Sequence, residues 1–223
     1  MRNLLFLLVS VFSVPAATAD WVSLFNGKDL AKWSGDTRIW RVENGVIIGE
    51  TNTTDKKIAA NSFLIWQGGE PADFELEYQA RVTGNNSGVQ YRSTIRNAAT
   101  WSVGGYQMDL HPNPPYLGML YEEQGRGIVC QRGQRVTLDE KPAVTGKLEI
   151  PEVNLAEWNS YRIVARGNVL QHFVNGKLAA EITDTNAAKR AAKGVIALQL
   201  HAGPPMKVEF KDLRLQEPAA AVK

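Results

Sequence analysis

The sequence predicts an all-β fold in which two antiparallel sheets pack face to face. After Asp20, short runs of alternating apolar and polar residues are separated by Gly, Asn, Asp and Pro, as expected for short strands joined by turns. Two of these turns contain Asn-Gly pairs, which supply the positive φ angles of tight hairpins. The sequence shows no long helical pattern and no internal repeat, so it predicts two packed sheets in one domain.

Composition and charge exclude several classes of protein. The chain has 223 residues, of which 44% are hydrophobic and 22% charged, enough apolar material for a packed core. Lys and Arg number 25 against 23 Asp and Glu, a formal net charge of +2. This charge is too small for the phosphate neutralisation on which nonspecific nucleic-acid binding depends. We therefore expect neither nucleic acids nor anionic membranes as partners.

The first 19 residues have the organisation of a secretory signal peptide. Arg2 precedes an apolar run over 4–14, and Ala17-Thr18-Ala19 has the small-x-small pattern that precedes cleavage. The apolar run is well below the ~20 residues that a membrane-spanning helix needs. We expect a signal peptide over 1–19, a single domain over 20–217, a flexible tail over 218–223, and export to the periplasm or the medium.

The strands are predicted from alternation and from the turns between them. Hairpins are expected where Asn44-Gly45 joins 40–42 to 46–48, and where Asn175-Gly176 joins 171–174 to 177–179. Further strands are predicted over 74–82, 88–95, 105–110, 195–201 and 208–215. The single cysteine, Cys130, permits no internal disulfide, and its apolar neighbours indicate a buried structural role. His172 alternates within a strand and is interpreted as a structural histidine.

Three of the predicted strands share one polar pattern. Gln90-Tyr91-Arg92, Gln107-Met108-Asp109 and Gln199-Leu200-His201 each place Gln and an ionisable residue two positions apart. The two polar side chains of each strand should share one sheet face, about 6–7 Å apart. If the three strands are neighbours, that face is a polar platform that can fix hydroxyl groups and move protons.

Other candidate residues lie in loops. The segment 121–127 is Gly-rich and supplies Glu122, Glu123 and Arg126. Trp66 and Trp101 are the loop tryptophans that could stack on the apolar face of a sugar ring. His111, His201 and Asp109 could be combined into a metal centre, but no close spacing supports one, and we predict no metal. The sequence has no Gly-x-Ser-x-Gly, His-Glu-x-x-His, P-loop or dinucleotide motif, so we predict no cofactor.

Short motifs follow one another in a specific order along nearly the whole mature chain. They are Leu24-Phe25-Asn26-Gly27-Lys28-Asp29-Leu30, Asn86-Ser87-Gly88-Val89, Gly105-Tyr106-Gln107-Met108-Asp109, Trp158-Asn159-Ser160-Tyr161-Arg162, Val174-Asn175-Gly176 and Leu198-Gln199-Leu200-His201. Each motif alone is weak, but their order and spacing resemble the 3-keto-disaccharide hydrolase family, which consists largely of exported bacterial proteins.

The resemblance implies a fold, an activity and a set of site residues. It implies a concanavalin A-like jelly-roll sandwich that hydrolyses glycosides already oxidised to a ketone at sugar C3, so that the partner is a 3-keto sugar or glycoside. The implied pocket residues are Gln90, Arg92, Gln107, Asp109, Glu122, Glu123, Arg126, Gln199 and His201. To these we add Trp101 as a substrate contact, on the separate ground that a loop tryptophan can stack on a sugar ring. Many members read Gly-Tyr-Glu where this chain has Gly105-Tyr106-Gln107.

The chemistry of a 3-keto sugar suggests a mechanism. The ketone acidifies the C2 proton, so a base can remove it, the C1 substituent leaves, and water adds to the product. We expect Asp109 or His201 to be the base, with the other or a loop acid, Glu122 or Glu123, donating a proton to the leaving oxygen. Arg92 or Arg126 would stabilise the enolate.

Three alternative functions remain open from the sequence. A non-catalytic carbohydrate-binding domain would use the same fold and the same polar face. An ordinary two-carboxylate glycosidase is less well supported, because the chain contains no Glu-x-Asp sequence of the kind that jelly-roll glucanases share. An interaction domain would present a flat face without a pocket.

Overall fold

The computed structural model describes residues 20–219. The signal peptide predicted over 1–19 therefore lies outside the described residues. Of the tail predicted over 218–223, only Pro218 and Ala219 are described, and Pro218 takes part in an isolated β-bridge. No helix in this part of the chain is long and apolar enough to cross a membrane.

The described chain is built almost entirely from strands. The first nine are β1 (Val22–Ser23), β2 (Trp33–Ser34), β3 (Trp40–Glu43), β4 (Val46–Thr51), β5 (Ser62–Trp66), β6 (Phe74–Thr83), β7 (Ser87–Asn97), β8 (Ser102–Leu110) and β9 (Leu120–Glu123). The others are β10 (Gly127–Cys130), β11 (Gln134–Leu138), β12 (Pro142–Lys147), β13 (Asn159–Arg166), β14 (Val169–Val174), β15 (Lys177–Asp184), β16 (Val195–Leu200) and β17 (Met206–Gln216). Two short 3₁₀ turns span Ala98–Thr100 and Pro114–Tyr116.

The strands form two sheets, which confirms the predicted fold class. The ten-stranded sheet has the order β12-β11-β15-β14-β13-β6-β17-β4-β3, with β1 paired to β17. The seven-stranded sheet has the order β10-β9-β8-β7-β16-β5-β2. Neighbouring strands are antiparallel except for β11 and β15, which run parallel. Since most neighbours are distant in sequence, the sheets bring together residues that no local pattern connects.

Both Asn-Gly hairpins occur where the sequence predicts them. Asn44 and Gly45 have φ angles of 49° and 76°, and Asn175 and Gly176 have φ angles of 48° and 76°. These are the two successive positive angles of a type I′ turn, whose twist matches the twist of the strands it joins. The predicted alternation of 74–82 is also observed, because buried and half-buried residues alternate along β6.

The core lies between the two sheets and is rich in aromatic residues. Tyr78 of β6 stacks on Tyr161 of β13 with ring centroids 5.2 Å apart, and its hydroxyl donates to Met108 Sδ of β8 at 3.5 Å. Tyr91 of β7 donates from its hydroxyl to His172 Nε2 of β14 at 2.9 Å. Hydrogen bonds therefore join the two sheets through an otherwise apolar interior.

Two residues assigned structural roles from the sequence are buried in this core. His172 is fully buried, and its Nδ1–H donates to the Gly118 carbonyl oxygen at 3.0 Å. Burial lowers the pKa of His172 to about 4, so the imidazole is neutral at pH 7. Burial also raises the pKa of the Cys130 thiol to about 12, which leaves it protonated and unreactive.

Replacing His172 with Gln should reduce the loss of stability on acidification. The unfolded chain binds a proton at His172 near pH 6.5, whereas the folded protein does so only near pH 4. The contribution of neutral His172 to the free energy of unfolding is therefore complete above about pH 6.5. It decreases as the pH falls, by about 2 kcal/mol at pH 5. Urea unfolding at pH 7.5 and pH 5 measures this change. An equal decrease in the free energy of unfolding in the wild type and in H172Q would contradict the prediction.

Candidate functional site

The three strands that carry the polar pattern are neighbours in the seven-stranded sheet. Strands β8, β7 and β16 lie side by side at its centre. Gln90 lies opposite Gln107, and Gly88 lies opposite Asp109. The intervening Met108 and Leu200 pack into the core between the sheets. Strand alternation therefore places Gln107, Asp109 and Gln199 on the face that points away from the ten-stranded sheet, called here the outer face.

A chain of hydrogen bonds runs across the outer face and ends at Asp109. Ser93 Oγ donates to Gln90 Oε1 at 2.6 Å, and Gln90 Nε2 donates to Gln107 Oε1 at 2.9 Å. Gln107 Nε2 then donates to Asp109 Oδ1 at 2.6 Å. All four side chains are buried. Because each amide both accepts and donates, the chain fixes the orientation of Gln107 and aims its N–H at the carboxylate.

Gly88 provides the space that this arrangement needs. A Cβ atom at position 88 would lie 2.6 Å from Cδ of Gln107, which is closer than real contacts allow. The Gln107 side chain therefore crosses over Gly88, and any larger residue there would push the amide away from Asp109.

Asp109 opens into a cavity of about 320 Å³, called here the Asp109 cavity. The side chains that line it are mostly polar and come from several strands and loops. They are Asn61, Asn86, Gln107, Asp109, His111, Tyr116, Met119, Tyr121, Glu123, Ile128, Gln199 and His201. The predicted site residues Gln107, Asp109, Glu123, Gln199 and His201 therefore line one cavity.

The electrostatics of the cavity favour protonated carboxyl groups. Burial raises the pKa of Asp109 to about 7, the Gln107 hydrogen bond opposes this, and the nearby Glu123 charge adds to it. Among the described residues, no cationic side chain lies within 4 Å of the Asp109 carboxylate. Burial likewise raises the pKa of Glu123, although Asn61 donates to its Oε1 at 3.4 Å.

Two histidines border the cavity and are held by neighbouring polar groups. His201 Nδ1 lies 2.6 Å from the Ala202 carbonyl oxygen and 3.2 Å from Asn85 Nδ2, so both neighbours fix the position of the ring. His111 Nδ1 accepts from the Asn113 N–H at 2.9 Å, which leaves Nε2 as the N–H donor. Burial lowers the pKa of His111, so this neutral form is present at pH 7.

Gln199 presents an unused polar group to the same cavity. Its side chain is 1% exposed, and its buried Oε1 atom has no hydrogen-bond partner in the described part of the chain. A buried amide oxygen without a donor is unfavourable, and a ligand hydroxyl is the group that would satisfy it.

The prediction that Arg92 faces the pocket is wrong. A bulge between Tyr91 and Thr94 interrupts the pairing of β7 with β8, and Arg92 adopts a positive φ of 46°. Its guanidinium turns away to donate to the Ala72 and Gly167 carbonyl oxygens, each at 2.7 Å, and to Asp73 at 2.9 Å. Arg92 therefore holds loops together.

The prediction that Glu122 and Arg126 share the pocket is also wrong. Glu122 lies opposite Tyr106, so it projects to the inner face of the sheet, whereas the next residue, Glu123, projects outward. Arg126 pairs with Glu122 and with the buried Asp184, at 2.6 Å. The Tyr106 hydroxyl donates to the same Asp184 carboxylate at 2.5 Å.

Two further predicted contacts lie beside the cavity. Gln90 is fully buried and supports Gln107 without lining the cavity. Trp101 lines an adjoining cavity of about 540 Å³, and its Nε1–H donates to Ser34 Oγ at 3.2 Å. Asn61 and Glu123 line both cavities, which places Trp101 close to the Asp109 cavity without entering it.

Sequence reasoning missed Asn61, Tyr121 and Tyr116, and it left His111 undecided. Tyr121 lies opposite Gln107 on β9, so alternation from the known register would have placed it on the outer face. Asn61 precedes β5 and reaches the cavity only because β5 pairs with β16. Among residues 20–219, no three His, Cys, Asp or Glu side chains are grouped so as to hold a metal ion.

Solved structures share this fold at low sequence identity. A candidate glycosyl hydrolase from Parabacteroides distasonis is 20% identical, with a TM-score of 0.58 over 90% of this chain and 94% of that chain. The laminarinase catalytic domain from Thermotoga maritima is 11% identical, with a TM-score of 0.56 over 92% and 99%. A Bacillus subtilis protein of unknown function with a galectin-like fold is 10% identical, with a TM-score of 0.59 over 90% and 96%. These likenesses support the predicted jelly-roll fold alone.

The family comparison is more specific than the structural likenesses. The search of curated proteins finds no match. Residues 20–216, nearly the whole described chain, match the family described as the 3-keto-alpha-glucoside-1,2-lyase-like domain. This protein therefore belongs to the 3-keto-disaccharide hydrolase family, as the order of its motifs predicted.

Proposed function

We propose that this protein cleaves 3-keto-glycosides by eliminating the C1 substituent and hydrating the product. The observation that carries the proposal is Asp109, a buried carboxylate whose pKa is raised to about 7 and which has no cationic partner among residues 20–219. A carboxylate with a pKa near the working pH is a far stronger base than an exposed one. Family membership supports a carbohydrate substrate, and the family description names a lyase acting on a 3-keto-α-glucoside.

In the proposed first step, Asp109 removes the proton from sugar C2. The C2–H electron pair forms an enolate with the C3 ketone. The enolate then collapses to a C1=C2 double bond as the C1–oxygen bond breaks and the leaving oxygen takes a proton. Gln107 holds Oδ1 of Asp109 through its N–H, so Oδ2 is the oxygen left to accept the proton.

A neutral donor would stabilise the enolate in place of the expected arginines. His111 carries its proton on Nε2 and lines the cavity. The unsatisfied Gln199 oxygen can only accept, so it would bind a substrate hydroxyl instead. A neutral imidazole or amide N–H can donate to a developing oxyanion without placing a positive charge beside Asp109. A fixed cation there would lower the pKa of Asp109 and weaken it as a base.

Glu123 is the best placed acid for the leaving oxygen. Burial raises its pKa, which increases the protonated fraction near neutral pH. It also borders the adjoining cavity that contains Trp101, so an aglycone in that cavity would leave past Glu123. His201, which borders the same cavity, would then position a substrate hydroxyl or the water that adds to the double bond. We further propose that the protein acts after export, which rests on the motif of residues 1–19.

Replacing Asp109 with Asn should abolish turnover of 3-keto-glycosides while the substrate still binds. The amide keeps the shape of the carboxylate but cannot accept the C2 proton, so kcat should fall by at least about 10²-fold. The assay compares sugar release from 3-keto-glycosides and from their unoxidised parents, with binding measured calorimetrically. Release from the ketones alone by the wild type is expected.

Two outcomes would reject the proposal. Undiminished turnover by D109N would remove Asp109 as the base. Binding by the wild type without turnover of any ketone would favour a carbohydrate-binding domain instead. Circular dichroism of D109N establishes that the variant is folded, so a loss of activity reports the chemistry.

The pH dependence of the reaction tests the coupling between Asp109 and Glu123. Asp109 must be ionised to remove the C2 proton, so exchange of that proton for solvent deuterium should rise with pH through a midpoint near 7. Because the Glu123 charge raises the pKa of Asp109, E123Q should move this midpoint to lower pH. E123Q should also slow sugar release, because the leaving oxygen loses its proton donor.

The neighbouring residue provides a matched control for this prediction. Glu122 carries the same carboxylate but faces the inner side of the sheet, where it pairs with Arg126. E122Q should therefore keep the wild-type midpoint. A midpoint that E123Q leaves unchanged, or that E122Q moves as far as E123Q does, would contradict the assignment.

A further inference from the structure

A further cavity, of about 550 Å³, lies next to the Asp109 cavity on the side of His111 and has more apolar walls. Its walls are largely apolar, and include Pro112, Pro114, Leu117, Ile150 and Val153. It also contains the side chain of Arg132, and we call it the Arg132 cavity. His111 borders both cavities.

Arg132 is a buried cation whose charge is not compensated. The residue is 5% exposed, and among the described residues no carboxylate lies within 4 Å of its guanidinium. One terminal nitrogen, Nη2, donates to the Pro151 carbonyl oxygen, whereas the buried Nε has no partner. Burial lowers the pKa of Arg132 accordingly.

The neighbouring ionisable groups do not supply the missing negative charge. Tyr161 is the group whose charge would interact with Arg132, but burial raises the pKa of its phenol, so it stays neutral. Glu152 lines the same cavity without forming an ion pair with Arg132. A buried guanidinium without an anion is costly, and an incoming anion would recover part of that cost.

We propose that the Arg132 cavity binds a small organic carboxylate with an apolar body. A carboxylate matches the planar guanidinium, which can donate two parallel N–H bonds to it. The apolar walls suit a hydrocarbon or aromatic group and do not suit a fully hydrated anion such as phosphate. The volume of about 550 Å³ falls in the range of small-molecule sites. This inference is independent of the function proposed for the Asp109 cavity.

Calorimetric titration of the full-length mature protein with phenylacetate tests the proposal. Phenylacetate should bind at least tenfold more tightly than phenylacetamide, which has the same shape without the charge. R132Q should abolish the difference between these two probes. R135Q removes an exposed arginine that pairs with Glu181, and it should leave phenylacetate binding unchanged.

A second pair of variants tests the site without altering Arg132. Ile150 is 50% exposed at the edge of the cavity, so substitutions there should not disturb the fold. I150E places a negative charge at the cavity and should weaken phenylacetate binding at least tenfold, whereas the neutral I150Q should not. Absence of phenylacetate binding, equal binding of the amide, or equal affinities of I150E and I150Q would overturn the proposal.

Discussion

The burial of the Asp109 carboxylate without a positive partner is the constraint on which the candidate site depends. Desolvation raises its pKa to about 7, and the single Gln107 hydrogen bond only partly opposes this. The two arginines that the sequence placed in the pocket are instead held elsewhere, Arg92 by Asp73 and Arg126 by Asp184. Had either guanidinium faced Asp109, it would have lowered this pKa and left a weak base at neutral pH. Because Arg92 and Arg126 pair with other acids, the pKa of Asp109 stays high.

Strand alternation made the fold and half of the site predictable. Side chains alternate between the two faces of a strand, so Met108 packs in the core while Gln107 and Asp109 lie on the outer face. The same alternation places Gln199 on the outer face. The rule fails where the strand itself is irregular. Arg92 lies within the bulge between Tyr91 and Thr94, which turns its side chain away from the cavity, and the sequence Gln90-Tyr91-Arg92 gives no sign of that bulge.

Other parts of the site depend on long-range pairing, which short sequence patterns do not specify. Glu122 and Glu123 are chemically identical neighbours, and only the register of β9 against β8 decides which one faces the cavity. Asn61, which lies just before β5, reaches Glu123 across 62 positions in sequence. The predicted site residues therefore lay on the correct strands, but some of them do not line the cavity. Which residues line it depends on the loops and on the register between strands.

The glutamine at position 107 gives the proposed mechanism a single buried base. A Glu at this position would instead place a second carboxylate beside Asp109. Two adjacent acids share a proton, and the proton can then occupy either group. An amide cannot exchange roles in this way, because its N–H is always the donor to Oδ1. The chain Ser93-Gln90-Gln107 orients that N–H. In the proposed mechanism, the substrate proton would therefore go to the remaining oxygen of Asp109.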